Sequence, residues 1–72
     1  MIAIEISDPD LKKATAENHS GEWWFLMPDA KTFTATGPWK DARAKAEAHA
    51  RALGSQDGQD SILLLGLQEE TN

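Results

Sequence analysis

Residues 39–53 read WKDARAKAEAHARAL, and residues 61–67, after a short polar gap, read SILLLGL. Alanine is the strongest helix former, so the first run predicts a long helix. Trp39, Ala42, Ala46, Ala50 and Leu53 recur at helical spacing and are expected to form its buried stripe. Gly37-Pro38 positions its start, Asp41 suits the first turn and Arg51 the last, and Gly54 supplies a stop. Asp41 with Lys45, Arg43 with Glu47, and Glu47 with Arg51 stand four apart, each pair worth a few tenths of a kcal/mol. The second run is apolar at every other residue in both phases, as expected of an interior strand covered on both sides. A helix of this length between two strands permits a right-handed crossover that leaves them parallel.

Upstream, Ile2, Ile4 and Ile6 alternate with Ala3, Glu5 and Ser7 and predict a half-buried strand. Asp8-Pro9 ends it and also makes a good helix start, with Asp8 as N-cap and Pro9 in the first helical position. Residues 11–18 form either a short helix or a loop closing at His19-Ser20-Gly21. Glu22 to Met27 (EWWFLM) lies between Gly21 and Pro28 and predicts a strand. A turn at Pro28-Asp29-Ala30-Lys31 joins it to Thr32–Thr36 (TFTAT), giving an antiparallel hairpin with Phe33 and Ala35 on one face. The expected fold is therefore an α+β two-layer sandwich. It has a mixed four-stranded sheet in the order β-β-β-α-β, an optional short helix after the first strand, and one long helix on one face. The whole of residues 1–72 is expected to be one domain.

One helix cannot cover both faces of a sheet. Period-2 geometry separates Trp23, Phe25 and Met27 from Trp24 and Leu26, and Ile62, Leu64 and Gly66 from Leu63, Leu65 and Leu67. Both sets are apolar. The set away from the helix needs a cover, which could be residues 8–18 folded back, a second copy of the chain, or another protein.

The chain has 72 residues, a net charge of −5 and no cysteine. Lack of cysteine excludes a disulfide, a thiol nucleophile and a cysteine zinc site, and fits a cytoplasmic protein. Residues 1–7 have neither the basic region nor the apolar stretch of a leader. The longest apolar run falls far short of the ~20 residues that span a bilayer, so a soluble protein with no membrane contact is expected. Charge is uneven: residues 1–30 carry −4, residues 31–54 carry +3, and residues 55–72 carry −4. Free nucleic acid is disfavoured as a ligand, since phosphate binding calls for a basic footprint.

Chemistry-bearing clusters are sparse. His19 and His49 stand thirty residues apart in no metal-ligand spacing and read as a turn residue and a half-buried helix residue. No sequence context supports a Ser–His–acid triad. Asp8 with Asp10 and Asp57 with Asp60 resemble fragments of a calcium loop but lack its twelve-residue pattern, and solvated acids describe them better. The glycines form no phosphate-cradling motif. Lys40, Arg43 and Arg51 share a helix side with Glu47 and read as a mixed-charge solvated face. No catalytic residue, cofactor or metal is expected.

Three resemblances bear on function. The run EWWFLMPDAKTFTATGPWKDARAKAEAHARAL, Glu22 to Leu53, resembles the small antitoxin domain of the HicB type. The match rests on Met27-Pro28-Asp29 and on Gly37 followed by Ala42 and Ala46, without that family's Leu-Pro-Gly-Cys run or its C-terminal DNA-binding segment. The order of elements from Asp8 to Leu53 is also similar to the double-stranded-RNA-binding domain, short of one strand, while the acidic ends oppose RNA. In size, acidity and want of catalytic residues the chain is similar to phage-encoded inhibitors, notably anti-CRISPR proteins. That last resemblance implies a non-enzymatic inhibitor that occludes a basic, nucleic-acid-binding surface of a target protein. Acids at Asp8, Asp10, Glu17, Glu22, Asp29, Asp57, Asp60, Glu69 and Glu70 would imitate phosphates, and Trp24 would add apolar contact. The alternative is a HicB-like antitoxin or self-associating adaptor, monomer or homodimer, that uses its apolar sheet face.

Overall fold

The computed structural model describes residues 2–56 and 58–69. In chain order the elements are β1 (Ala3–Glu5), α1 (Pro9–Ala16), β2 (Ser20–Leu26), β3 (Thr32–Pro38), α2 (Trp39–Ala52) and β4 (Ser61–Glu69). The strands form one mixed sheet in the order β1-β4-β2-β3. β4 runs parallel to β1 and antiparallel to β2, and β2 and β3 make the expected antiparallel hairpin. β3 and β4 are thus parallel in direction, as the crossover requires, with β2 inserted between them. The fold class is the expected α+β sandwich.

The segment after β1 is a helix. The Asp8 carboxylate accepts from the Asp10 amide at 2.8 Å, and Pro9 opens the first turn, where a missing amide costs nothing. Beyond its far end Asn18 turns left-handed (φ 54°), and residues 18 and 19 each accept a bond from the start of α2. The Asn18 Oδ1 accepts from the Lys40 amide at 2.9 Å, and the neighbouring His19 carbonyl accepts from the Trp39 amide at 3.0 Å. Pro38 at the N-cap of α2 has no side chain able to do this, so the 18–19 loop caps α2 from outside. α2 closes as expected at Gly54 (φ 92°), with the Gly54 amide on the Arg51 carbonyl and the Ser55 amide on the Ala50 carbonyl.

Both helices lie on one face of the sheet. A single core joins Trp23, Phe25 and Met27 of the β2 strand and its end, Ala35 of β3, Ile62 and Leu64 of β4, and Ile2. Ala42, Ala46 and Ala50 of α2 and Ala14 of α1 complete it. The Trp39 ring tilts against Trp23 at 4.9 Å between centroids and stacks on Phe25 at 5.9 Å, which anchors the start of α2. Trp23 is fully buried, and its indole N–H donates to the Gly37 carbonyl at 2.9 Å.

Three expectations need correction. Leu53 does not belong to the buried stripe: it is the C-cap residue and 44% exposed, because the helix axis ends before the stripe returns to the sheet. Residues 8–18 do not cover the far face of the sheet, since Leu11 and Ala14 pack into the same core as α2. Strand β4 is interior but covered on one face only, and its faces do not alternate strictly. Trp24 pairs with Gly66 while Phe25 pairs with Leu64, so Leu65 is an extra residue, a β-bulge. The bulge shifts the phase, and Leu67 opposite Trp23 packs against the core instead of lying with Leu63 and Leu65.

Candidate functional site

With both helices on one side, no described segment covers the other side of the sheet, and its register defines a grid. Glu5, Leu63, Leu26 and Thr32 lie side by side across β1, β4, β2 and β3. The next rung holds Leu65 and Gly66 beside Trp24 and Thr34, and the one after it Gln68, Glu22 and Thr36. Leu26, Leu63, Trp24 and Leu65 therefore form one contiguous apolar block, with Trp24 42% and Leu65 47% exposed. The bulge matters here, because it sets both Leu65 and Gly66 opposite Trp24 and leaves the indole with a glycine at its side. Nothing lies within 4 Å of the place a Gly66 Cβ would take, so the face is open at that point.

Charge is sorted by layer. The seven basic residues are Lys12 and Lys13 in α1, Lys31 in the β2–β3 turn, and Lys40, Arg43, Lys45 and Arg51 in α2. None belongs to the bare face, where Glu5 and Glu22 bound the apolar block on two sides. In α2 the Arg43 guanidinium meets Glu47 at 3.2 Å, one of the three expected pairs, while Lys45 turns to the Thr36 carbonyl at 3.1 Å.

The acids singled out in the sequence are dispersed. Asp8 caps α1, and Asp10 is exposed in its first turn. Asp29 sits in the β2–β3 turn and accepts from the Lys31 amide, and Asp60 accepts from the Gln56 amide at 3.1 Å. Asp29 and Asp60 line one surface depression with Leu53 and Ser55. Glu17 and Glu69 meet at the opposite end of the sheet, on His19. Asp57 and Glu70 lie outside the described residues. Of the expected contact residues that are described, Trp24 and Glu22 fall on the bare face. Leu26, Leu63 and Leu65 belong to the apolar sets expected on one or other face but not to the expected contact residues, and Glu5, which carries no such signal, is an addition.

His19 holds both carboxylates, with Nδ1 3.2 Å from Glu69 and Nε2 3.0 Å from Glu17. The hydrogen bond to Glu69 and then the Glu17 carboxylate raise its pKa above the ordinary 6.5. With both ring nitrogens engaged, the imidazole ties the end of β4 to the end of α1. His49 stacks on Phe33 at 4.4 Å and acts as a packing residue. Among the described residues no group of three or more His, Cys, Asp or Glu side chains is arranged to hold a metal ion. Among the described residues no helix is long and apolar enough to cross a membrane.

Compared with protein-family models, curated proteins and solved structures, the chain matches none. Function has to be argued from the bare face itself.

Proposed function

We propose that this chain is a non-catalytic binding protein that blocks a basic, nucleic-acid-handling surface of another protein, with the bare sheet face as its central contact. The observation that carries this reading is one coincidence. The block of Trp24, Leu26, Leu63 and Leu65 lies on the layer that bears carboxylates and no cation. An exposed aromatic among aliphatics supplies the desolvated anchor that dominates binding energy, and bounding acids select for a basic partner and steer its approach. The loop acids are divided between two ends of the molecule and act as an outer ring of weaker, salt-sensitive contacts.

The test is affinity capture from a host lysate in parallel with Trp24→Ala and Leu65→Lys chains, with duplex DNA as competitor. The expected result is recovery of nucleic-acid-binding proteins that DNA displaces and that both variants fail to hold. A partner set unchanged in either variant, or unaffected by DNA, overturns the proposal. For an isolated partner, Trp24→Ala is expected to cost about 2 kcal/mol, roughly thirtyfold in Kd, by calorimetry. Asp10→Lys is expected to cost less, and its effect is expected to vanish at high salt.

A further inference from the structure

Strand β3 is an edge strand of seven residues, reading TFTATGP. Edge strands are normally blunted by charge, bulges or brevity, because their free amides and carbonyls template further pairing. This one carries no charged residue of its own from Thr32 to Pro38, and charge reaches it from α2 at the Thr36 carbonyl, through Lys45. The hydrogen-bonding phase of the strand follows from its two ends. The Met27 amide donates to the Lys31 carbonyl at 2.8 Å at the turn, and the Trp39 amide to the His19 carbonyl at 3.0 Å at the other end, so the odd-numbered positions of this register carry the bonds. Bonded pairs recur every second residue in an antiparallel ladder, so Phe33, Ala35 and Gly37 bond inward to β2. The amides and carbonyls of Thr32, Thr34 and Thr36 therefore point outward. The Lys45 ammonium donates to the Thr36 carbonyl, which fits an outward-pointing carbonyl at that residue. Among the described residues nothing bonds the outward groups of Thr32 or Thr34.

From this geometry we propose that the β3 edge pairs antiparallel with the β3 edge of a second copy, about a twofold axis through Thr34. The sequence is self-complementary about that point. Thr34 meets its own copy, and Thr32 meets the second Thr36, each an outward-bonding residue in the same phase. Phe33 meets the second Ala35, which sets a large side chain against a small one on the helix side of the sheet. Threonine pairs across strands are favourable, and no like charges oppose each other between residues 32 and 36. Pro38 has no amide to offer and ends the ladder beyond Thr36. The Lys45 contact yields to the second copy's Thr32 amide. The product is an eight-stranded sheet with all four helices on one side and two bare faces joined edge to edge, a C2 arrangement. The pairing does not depend on what occupies the bare face.

Sedimentation equilibrium over a micromolar to millimolar series tests this directly, with 7.9 kDa expected for the monomer. A concentration-dependent dimer is expected, and Thr34→Pro is expected to return it to monomer. That substitution removes an outward amide only, so circular dichroism of the variant is expected to match the parent. Thr34→Lys, which sets two ammonium groups against each other on the axis, is a second route to the same monomer. Because the chain has no cysteine, Thr34→Cys reports the register by itself. Bonded antiparallel pairs have Cα atoms about 5.5 Å apart, within disulfide reach, so mild oxidation is expected to give a covalent dimer with Thr34→Cys and not with Trp24→Cys. A monomer throughout the series, or failure of Thr34→Cys to crosslink, overturns the pairing. So does a dimer that survives Thr34→Lys and dissolves with Trp24→Lys, an outcome that assigns self-association to the bare face.

Discussion

Two adjacent tryptophans in β2 stand on opposite faces of one sheet, and their surroundings could hardly differ more. Trp23 is fully buried under Trp39, bonded to the Gly37 carbonyl and enclosed by the alanines of α2. Trp24 has a glycine and a threonine beside it, Glu22 on the next rung of the same face and solvent above. The same residue type, one position apart, serves stability on one side and remains available for contact on the other. Small alanines let α2 lie close to the covered face, and α1 packs into the same core, so both described helices serve one side of the sheet.

The largest expected effect breaks the contrast outright. Trp23→Ala opens a cavity in the core and orphans a carbonyl contact, at a cost of about 3–5 kcal/mol. A domain of this size commands about that much stability, so the variant is expected to be unfolded in urea-free buffer by near-ultraviolet circular dichroism. Trp24→Ala is expected to keep its urea midpoint to within about 1 kcal/mol of stability, since its loss opens no cavity. Comparable loss of stability in the two variants would mean that the bare face is not bare in solution.

A smaller effect tests the same contrast through glycine. A Cβ on Gly21, which faces the covered side, would run into the Gln68 carbonyl oxygen and lie 2.9 Å from the Glu69 Cα and the Leu67 Cδ1. Backbone cannot yield cheaply, so Gly21→Ala is expected to part β2 from the end of β4 and cost about 2 kcal/mol or more. A Cβ on Gly66, on the bare side, meets nothing within 4 Å. Gly66→Ala is expected to be neutral or to stabilise by up to about 1 kcal/mol, through the entropy of the unfolded chain. Urea titrations of the pair check both signs.

How much of this was legible before the structure can be traced to particular residues. The α2 helix and its Gly54 stop, the hairpin and the split between Trp23 and Trp24 follow from local periodicity, and the fold confirms them. Placement of β4 between β1 and β2 does not follow, because strand order is set by which edges meet and no local pattern encodes it. The bulge at Leu65 was equally hidden, since SILLLGL is apolar in either phase and a one-residue slip leaves the pattern unchanged. The bare face was foreseen as a surface in need of a cover. Which residues form it depended on that bulge and on the choice of α1 to pack beside α2.

The smallest expected effect concerns how firmly the end of β4 is held, which limits the bare face at its Gln68 and Glu22 rung. His19 reaches Glu69 from the loop after α1, and the contact is strongest when the imidazole is charged. Its pKa is raised in the folded chain by Glu69 and Glu17, so folding takes up protons. The stabilisation is fully present below the unfolded value of 6.5 and is lost as pH rises through the higher folded value. The urea midpoint is therefore expected to fall slightly between pH 6 and pH 8, and His19→Gln is expected to flatten that slope while lowering the midpoint at pH 6. The site is solvent-screened, which keeps the effect small. A His19 ring titration by NMR with a midpoint at or below 6.5 would sever the link, and so would a slope that survives His19→Gln. Either result would leave the backbone ladder between Gly21 and Glu69 as the holder of the strand end.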